Sequence, residues 1–181
     1  DVREAVKAGA EGIGLFRSEF LYMESDGFPD ENSQFKAYSE AAKICGEKPL
    51  TIRTLDIGGD KALSYMAMEK EENPFLGFRA IRMSLEMKDH FKTQIRAILR
   101  AGSEGNVRMM FPMITTLNEF KTARQMVDEC ISELENENLP CDRNLKVGMM
   151  IETPASVLLA EEFAQMADFF CIGTNALTQY I

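Results

Sequence analysis

Hydrophobic positions along the chain fall into short dense runs, separated by longer stretches in which they recur every three or four residues. The dense runs lie at 13–16 (IGLF), 50–55 (LTIRTL), 75–81 (FLGFRAI), 107–113 (VRMMFPM), 145–151 (LKVGMMI) and 168–174 (DFFCIGT). They lack the polar/apolar alternation of a strand with one wet face, so each predicts a strand of a parallel sheet covered on both faces. The intervening stretches read as amphipathic helices. Phe35, Tyr38, Ala42 and Cys45 share a face of 31–46, and Phe91, Ile95, Ile98 and Leu99 share one of 87–101. Residues 117–136 do the same with Leu117, Phe120, Ala123, Val127, Ile131 and Leu134. A further helix is expected over 1–11, and another from Pro154 through Leu158, Leu159 and Phe163, with proline in the first turn. The polar stretch 133–144 fits a helix end and loop. Strand–helix alternation of this kind predicts βαβ units.

The polar residues decide between an open sheet and a barrel. Arg17 and Glu19 follow the first run, Arg53 and Asp56 end the second, and Arg79 and Arg82 lie at the third. Pro112 ends the fourth, Glu152 the fifth, and Thr174-Asn175 the sixth. Contributions from so many successive strands converge only if the sheet closes, whereas an open sheet uses the strands at its switch point. A complete (β/α)8 barrel has eight strands in about 250 residues. The expectation is therefore an α/β fold: an incomplete TIM barrel with about six of eight strands, residues 1–181 forming one domain. Arg17, Arg53, Glu152 and Asn175 should share one rim. The chain starts without Met and reads as a piece of something longer.

Composition narrows the function. With 29 acidic against 20 basic residues the net charge is −9, which argues against nucleic acid and anionic membrane as partners. No apolar run reaches the roughly 18 residues of a membrane span, and no signal peptide opens the chain. The cysteines, Cys45, Cys130, Cys141 and Cys171, have no C-x-x-C spacing. They suit reduced thiols in the cytoplasm better than a disulfide framework or a zinc site. Cys171 reads as buried packing and the methionines as core filler. His90 reads as a solvated helix residue. Gly58-Gly59-Asp60-Lys61 is either an anion-approaching loop or a tight turn with solvated charges.

Six motifs in order carry a resemblance: EGIGLFRSEFLYM (11–23), TIRTLDIGGDK (51–61), EENPFLGFRAIR (71–82), MMFPMI (109–114), GMMIETPAS (148–156) and DFFCIGTNALTQY (168–180). Together they closely resemble the phosphoenolpyruvate-binding domain of enzyme I of the bacterial sugar phosphotransferase system. Dikinases and phosphoenolpyruvate synthases share the R-x-E and G-T-N elements but not usually TLDIGGDK. They form the alternative enzyme reading, and a non-catalytic dimerisation module is the alternative outside enzymes.

The resemblance implies transfer of a phosphoryl group from phosphoenolpyruvate to an enzyme histidine in a separate N-terminal domain. From there it passes to a histidine-containing carrier protein, within a homodimer. Such chemistry rests on positioning and charge neutralisation, for which the planar fork of arginine suits phosphate and carboxylate oxygens. By resemblance Arg17 and Arg53 contact the phosphate, Arg79 the carboxylate, and Asn175 the phosphoryl group, beside the backbone of Gly173 and Thr174. From the residues alone, Arg17 and Arg53 are equally arginines paired with Glu19 and Asp56, and Glu71 or Glu72 competes for Arg79. Glu152 is by resemblance one of two Mg²⁺ ligands. On its own it is also a helix-end charge or a partner for a rim arginine. The second metal-ligand position is Ala176, where the family reads G-T-N-D-L, and alanine cannot ligate. No catalytic residue is expected within the chain: the proton-donating cysteine and a further arginine lie beyond Ile181 in the family.

Overall fold

The computed structural model describes residues 1–58, 63, 65, 66, 72, 73 and 76–180. Five strands form one parallel sheet: β1 (Ile13–Arg17), β2 (Leu50–Arg53), β3 (Val107–Phe111), β4 (Lys146–Ile151) and β5 (Phe170–Ile172). Between and around them lie α1 (Val2–Lys7), α2 (Glu19–Met23), α3 (Glu31–Cys45), α4 (Ile81–Glu86), α5 (Lys88–Gly102), α6 (Leu117–Asn136), α7 (Pro154–Leu158), α8 (Ala160–Ala164) and α9 (Thr174–Gln179). Each strand pairs with the next in chain order, β1-β2-β3-β4-β5. The order never reverses, so there is no switch point of the doubly wound kind. A flat sheet would hold β1 and β5 about 19 Å apart, at four strand spacings. Leu15 and Arg17 of β1 nevertheless line the same cleft as Ile172 of β5. The sheet is curled, and the architecture is a partial (β/α)8 barrel.

Periodicity of two sorts the strand residues. Leu50, Ile52, Val107, Met109, Phe111, Val147, Met149 and Ile151 enter the core beneath the helices. Their neighbours Thr51, Arg53, Arg108, Met110, Gly148 and Met150 therefore face the concave side. The alternation was not visible in the sequence because Met110, Gly148 and Met150 make the concave face of β3 and β4 apolar as well. The core proper is helical on its outer side. Helix α5 packs between α3 and α6, and edge-to-face rings step outward from Phe91 through Phe111 and Phe120 to Phe163, with centroids 5.9–6.2 Å apart. Asp30 caps α3, and Thr116 caps α6 in a reciprocal box with Glu119. Arg96 and Arg100 of α5 both reach Glu31 of α3, tying the two helices over their exposed edges.

The expected strand at 75–81 does not form in its described residues, 76–81, so among the described residues five strands stand where six were predicted. Strand β2 pairs directly with β3, leaving no gap for another. In the described part of the run, Leu76 and Phe78 are exposed, while Ala80 takes a left-handed φ of 51° and its N–H donates to the carbonyl of Ile57. Among its described residues only Ala80 and Ile81 reach the apolar core, and Ile81 starts a helix instead of extending a strand. Strands β2, β3 and β5 are shorter than the apolar runs that announced them, and Thr174-Asn175 open α9 rather than closing β5. The helix after Pro154 is broken at Leu159 into α7 and α8. Helix α2, carrying Glu19, was not anticipated.

Candidate functional site

The carboxyl ends of the strands surround an open cleft of about 420 Å³, lined by Arg17, Arg53, Asp56, Arg79, Glu152 and residues 172–176 among others. Arg17 ends β1 and Arg53 ends β2, directly opposite each other in the parallel register. Both occupy the concave face because a strand turns successive side chains to opposite sides. Arg17 is exposed, whereas Arg53 is 6% exposed and clamped on two sides. One guanidinium nitrogen of Arg53 contacts Glu19 of α2, and Nη1 lies 2.9 Å from Asp56 Oδ2. Arg79 reaches the other oxygen of the same carboxylate, with Nη2 at 2.8 Å from Asp56 Oδ1. Asp56 thus bridges two buried cations from separate segments. Their sequence-level alternative, pairing with acids, is therefore realised for Arg53 without removing it from the cleft. Arg79 pairs with Asp56; Glu72 is exposed and Glu71 lies outside the described residues.

Arg79 is held by backbone approach. Gly58 has φ +141°, and a Cβ on it would lie 2.2 Å from Arg79 Cβ. The first glycine of the Gly58-Gly59 pair makes room for the arginine, not for an anion; Gly59, Asp60 and Lys61 lie outside the described residues. Arg82 turns away, donating to the Gly77 carbonyl at 2.8 Å. Below Arg53 a buried polar relay fixes the junction of β1 and α2. Ser18 Oγ donates to the Arg53 carbonyl at 2.8 Å. Gln94 of α5 donates to both Ser18 Oγ and Tyr38 Oη, and its Oε1 accepts the Leu55 N–H at 2.8 Å. Ser18, Gln94 and Tyr38 escaped the sequence reading as a group, because only tertiary contact joins residues so far apart in the chain.

Glu152 follows the last residue of β4 and is 4% exposed. Its Oε1 accepts the Met113 N–H at 2.6 Å, and Met113 adopts φ 56° at the end of the β3 loop. Thr153 holds the two strand ends together, donating to the Ile114 carbonyl at 3.1 Å while its oxygen caps α7. Burial pushes the Glu152 carboxyl up to about 7, with the Asp56 carboxylate adding to the rise, against the Met113 N–H, Arg53 and Arg79. At the end of the adjacent strand, Gly173 leaves the space Glu152 occupies: a Cβ there would sit 2.7 Å from Glu152 Cβ and 2.8 Å from its Oε2. Asn175 is exposed in the first turn of α9, and Ala176 is buried beside it. Arg17, Arg53, Arg79, Glu152, Asn175 and Ala176 therefore border a single cleft. His90 lies apart, stacked on Phe28 at 3.9 Å between centroids. Cys171 is half-buried on β5 rather than sealed in the core, because β5 is an outer strand of the described sheet.

A divalent metal does not fit this donor set. A hard cation such as Mg²⁺ needs carboxylate oxygens open to it, and reluctant dehydration makes it depend on their charge. Both Asp56 oxygens are taken by guanidinium groups, one Glu152 oxygen is taken by Met113, and position 176 offers a methyl. Among the described residues no group of three or more His, Cys, Asp or Glu side chains gathers to hold a metal. An anion fits better: Nε of buried Arg53 has no acceptor among the described residues, and an unmade buried hydrogen bond is costly. Among the described residues no helix is long and apolar enough to cross a membrane.

Comparison with known proteins agrees with this geometry. The chain matches the family model "PEP-utilising enzyme, PEP-binding domain" over residues 1–181. It is 54% identical over 181 residues to a phosphoenolpyruvate-protein phosphotransferase of Mycoplasma capricolum, covering 99% of this chain and 31% of that protein. Proteins of the same name are 51% identical in Buchnera aphidicola subsp. Acyrthosiphon pisum and 52% identical in Geobacillus stearothermophilus. Each match covers 99% of this chain and 32% and 31% of the relative, respectively. The chain thus spans about a third of the length of these relatives. With a partial parallel barrel, three arginines at its carboxyl rim and a family match along its whole length, the chain belongs to the PEP-binding domain family of PEP-utilising enzymes.

Proposed function

We propose that this chain is the phosphoenolpyruvate-binding part of a phosphoenolpyruvate–protein phosphotransferase, a cytoplasmic homodimer that heads a sugar phosphotransferase system. Arg17 and Arg53 grip the phosphate, Arg79 takes the carboxylate, and Asn175 hydrogen-bonds the phosphoryl group. The observation that carries the reading is the convergence of these cations on one cleft at the strand ends. Phosphoenolpyruvate bears charge at both ends, and paired guanidinium groups bind such oxygens with defined geometry. In the reaction the bond from phosphorus to the enol oxygen breaks and a bond to a histidine nitrogen forms, leaving enolpyruvate to be protonated. The histidine, the carrier protein that receives the group next, and the acid that protonates enolpyruvate all belong to other parts of the parent protein or its partners. Within this chain the residues bind and orient; they supply no nucleophile and no proton donor.

Calorimetric titration with phosphoenolpyruvate is the test. The unaltered chain should bind it, inorganic phosphate should compete, and Arg53→Met should weaken binding by at least about tenfold, the loss of one charged hydrogen-bonding partner. Equal affinity in the Arg53→Met protein removes Arg53 from the site, and failure of phosphate to compete removes the phosphate subsite.

A further inference from the structure

We infer that this chain binds its phosphate-bearing ligand without a divalent cation, so that its site is an arginine-only anion site. The inference rests on the proposed phosphoenolpyruvate site and concerns what neutralises the ligand there. Among the described residues, five ionisable side chains line the cleft: Arg17, Arg53 and Arg79 against Asp56 and Glu152. The balance already favours an anion, and the carboxylates are not available to shift it toward a cation. Asp56 spends one oxygen on Arg53 at 2.9 Å and the other on Arg79 at 2.8 Å. To ligate a metal it would have to release one of two guanidinium groups that are themselves almost fully buried, at the cost of weakening a buried ion pair.

Among the described lining residues, Glu152 is the remaining carboxylate. Its Oε1 receives the Met113 N–H at 2.6 Å, an arrangement set by the left-handed backbone of Met113. Its Oε2 faces Gly173, where even a methyl would lie at 2.8 Å. Along α9, beyond the exposed Thr174 and Asn175, Ala176 is buried and brings no carboxylate. One carboxylate with one open oxygen, opposite three guanidinium groups, is a poor seat for Mg²⁺, which retains its waters unless carboxylate charge and ligand oxygens draw it in. The anion side is better equipped. Nε of Arg53 is buried and finds no acceptor among the described residues, and Arg53 borders the cleft. An oxygen of a phosphate supplies the missing acceptor, and the ligand's negative charge is met by arginines that are permanently protonated.

The experiment is calorimetry with inorganic phosphate and with oxalate, each with Mg²⁺ in excess and with a chelator, on the unaltered chain and on Ala176→Asp. Manganese(II) alone, followed by its electron paramagnetic resonance signal, reads the cation without any anion. In the unaltered chain the affinities for both anions should agree within about twofold with and without Mg²⁺, and Mn²⁺ should remain free. In Ala176→Asp, a second carboxylate beside Glu152 should capture Mn²⁺ and make oxalate binding at least about tenfold tighter with Mg²⁺. Anion binding to the unaltered chain that requires Mg²⁺, or Mn²⁺ capture by it, overturns the inference and leaves the proposed phosphoenolpyruvate site standing. Absence of anion binding under both conditions overturns that site and the inference with it. A metal response in neither protein, with anion binding intact, upholds metal independence and shows that position 176 does not reach a cation.

Discussion

Glu152 shows how a single residue decides the electrostatics of the cleft. Two arginines and a backbone N–H favour its charged form, yet burial and the Asp56 carboxylate outweigh them and lift the carboxyl from an ordinary 4.5 to about 7. A group whose pKa is higher in the folded state binds more protons there than in the unfolded chain. Stability therefore falls as pH rises from about 4.5 to about 7, and the loss is complete above that window. Glu152→Gln keeps an acceptor for the Met113 N–H and removes the titration. It should flatten that slope and raise stability above pH 7 by up to about 3 kcal/mol, read as the unfolding free energy across a pH series. Identical pH slopes in the two proteins would show that Glu152 titrates as an ordinary carboxylate. By contrast, burial pushes the Cys130 thiol up to about 12, which makes it an inert packing group.

At the scale of elements, the site depends on a helix that contributes nothing to its lining. Gln94 projects from α5 into the junction of β1, α2 and β2, where it is hydrogen-bonded through both ends of its amide at 1% exposure. Gln94→Leu preserves much of the volume but strands the Leu55 N–H, within the Arg53–Asp56 segment that carries the site. The expected cost is about 2 kcal/mol, the desolvation penalty of one buried donor, with a parallel loss of anion affinity because Ser18 no longer steadies the end of β2. Chemical denaturation and phosphate titration on the same variant separate the two effects. An unchanged unfolding midpoint would remove Gln94 from the framework. Much of this level was readable from pattern: α3, α5 and α6 fall where the 3.6-residue spacing placed them. The exception is the run 75–81, whose described residues form no strand, because apolar content alone does not reveal whether a neighbouring strand has an edge to offer.

For the whole molecule, the consequential feature is that the sheet does not close among the described residues. The outer edges of β1 and β5 have no strand beside them there, and exposed apolar side chains lie nearby, including Phe20, Leu158 and Ile172. Unpaired parallel edges of this kind are templates for pairing with another chain. The net charge of −9 opposes such contact through repulsion that salt screens. The isolated 181-residue chain should therefore self-associate, and more strongly as ionic strength rises. Sedimentation velocity over a range of concentration and salt tests this, and a monomer throughout would show that the edges are inert.

The sequence by itself determined the class of fold, the positions of the main helices, and the arginines that end β1 and β2, because periodicity and strand-end polarity are local properties that a chain displays without folding. It also pointed to Arg17, Arg53, Arg79, Glu152 and Asn175 as one group, through motifs whose order and spacing survive in the linear text. Tertiary structure alone decided how those groups are satisfied. Asp56 serves two arginines at once, the Met113 N–H meets one oxygen of Glu152, and Gln94 braces a junction it is far from in sequence. Such partnerships depend on distances between segments separated by dozens of residues, and a difference of an ångström settles which oxygen a donor reaches. No local pattern encodes that choice, so it emerges only when the sheet curls and brings the strand ends together.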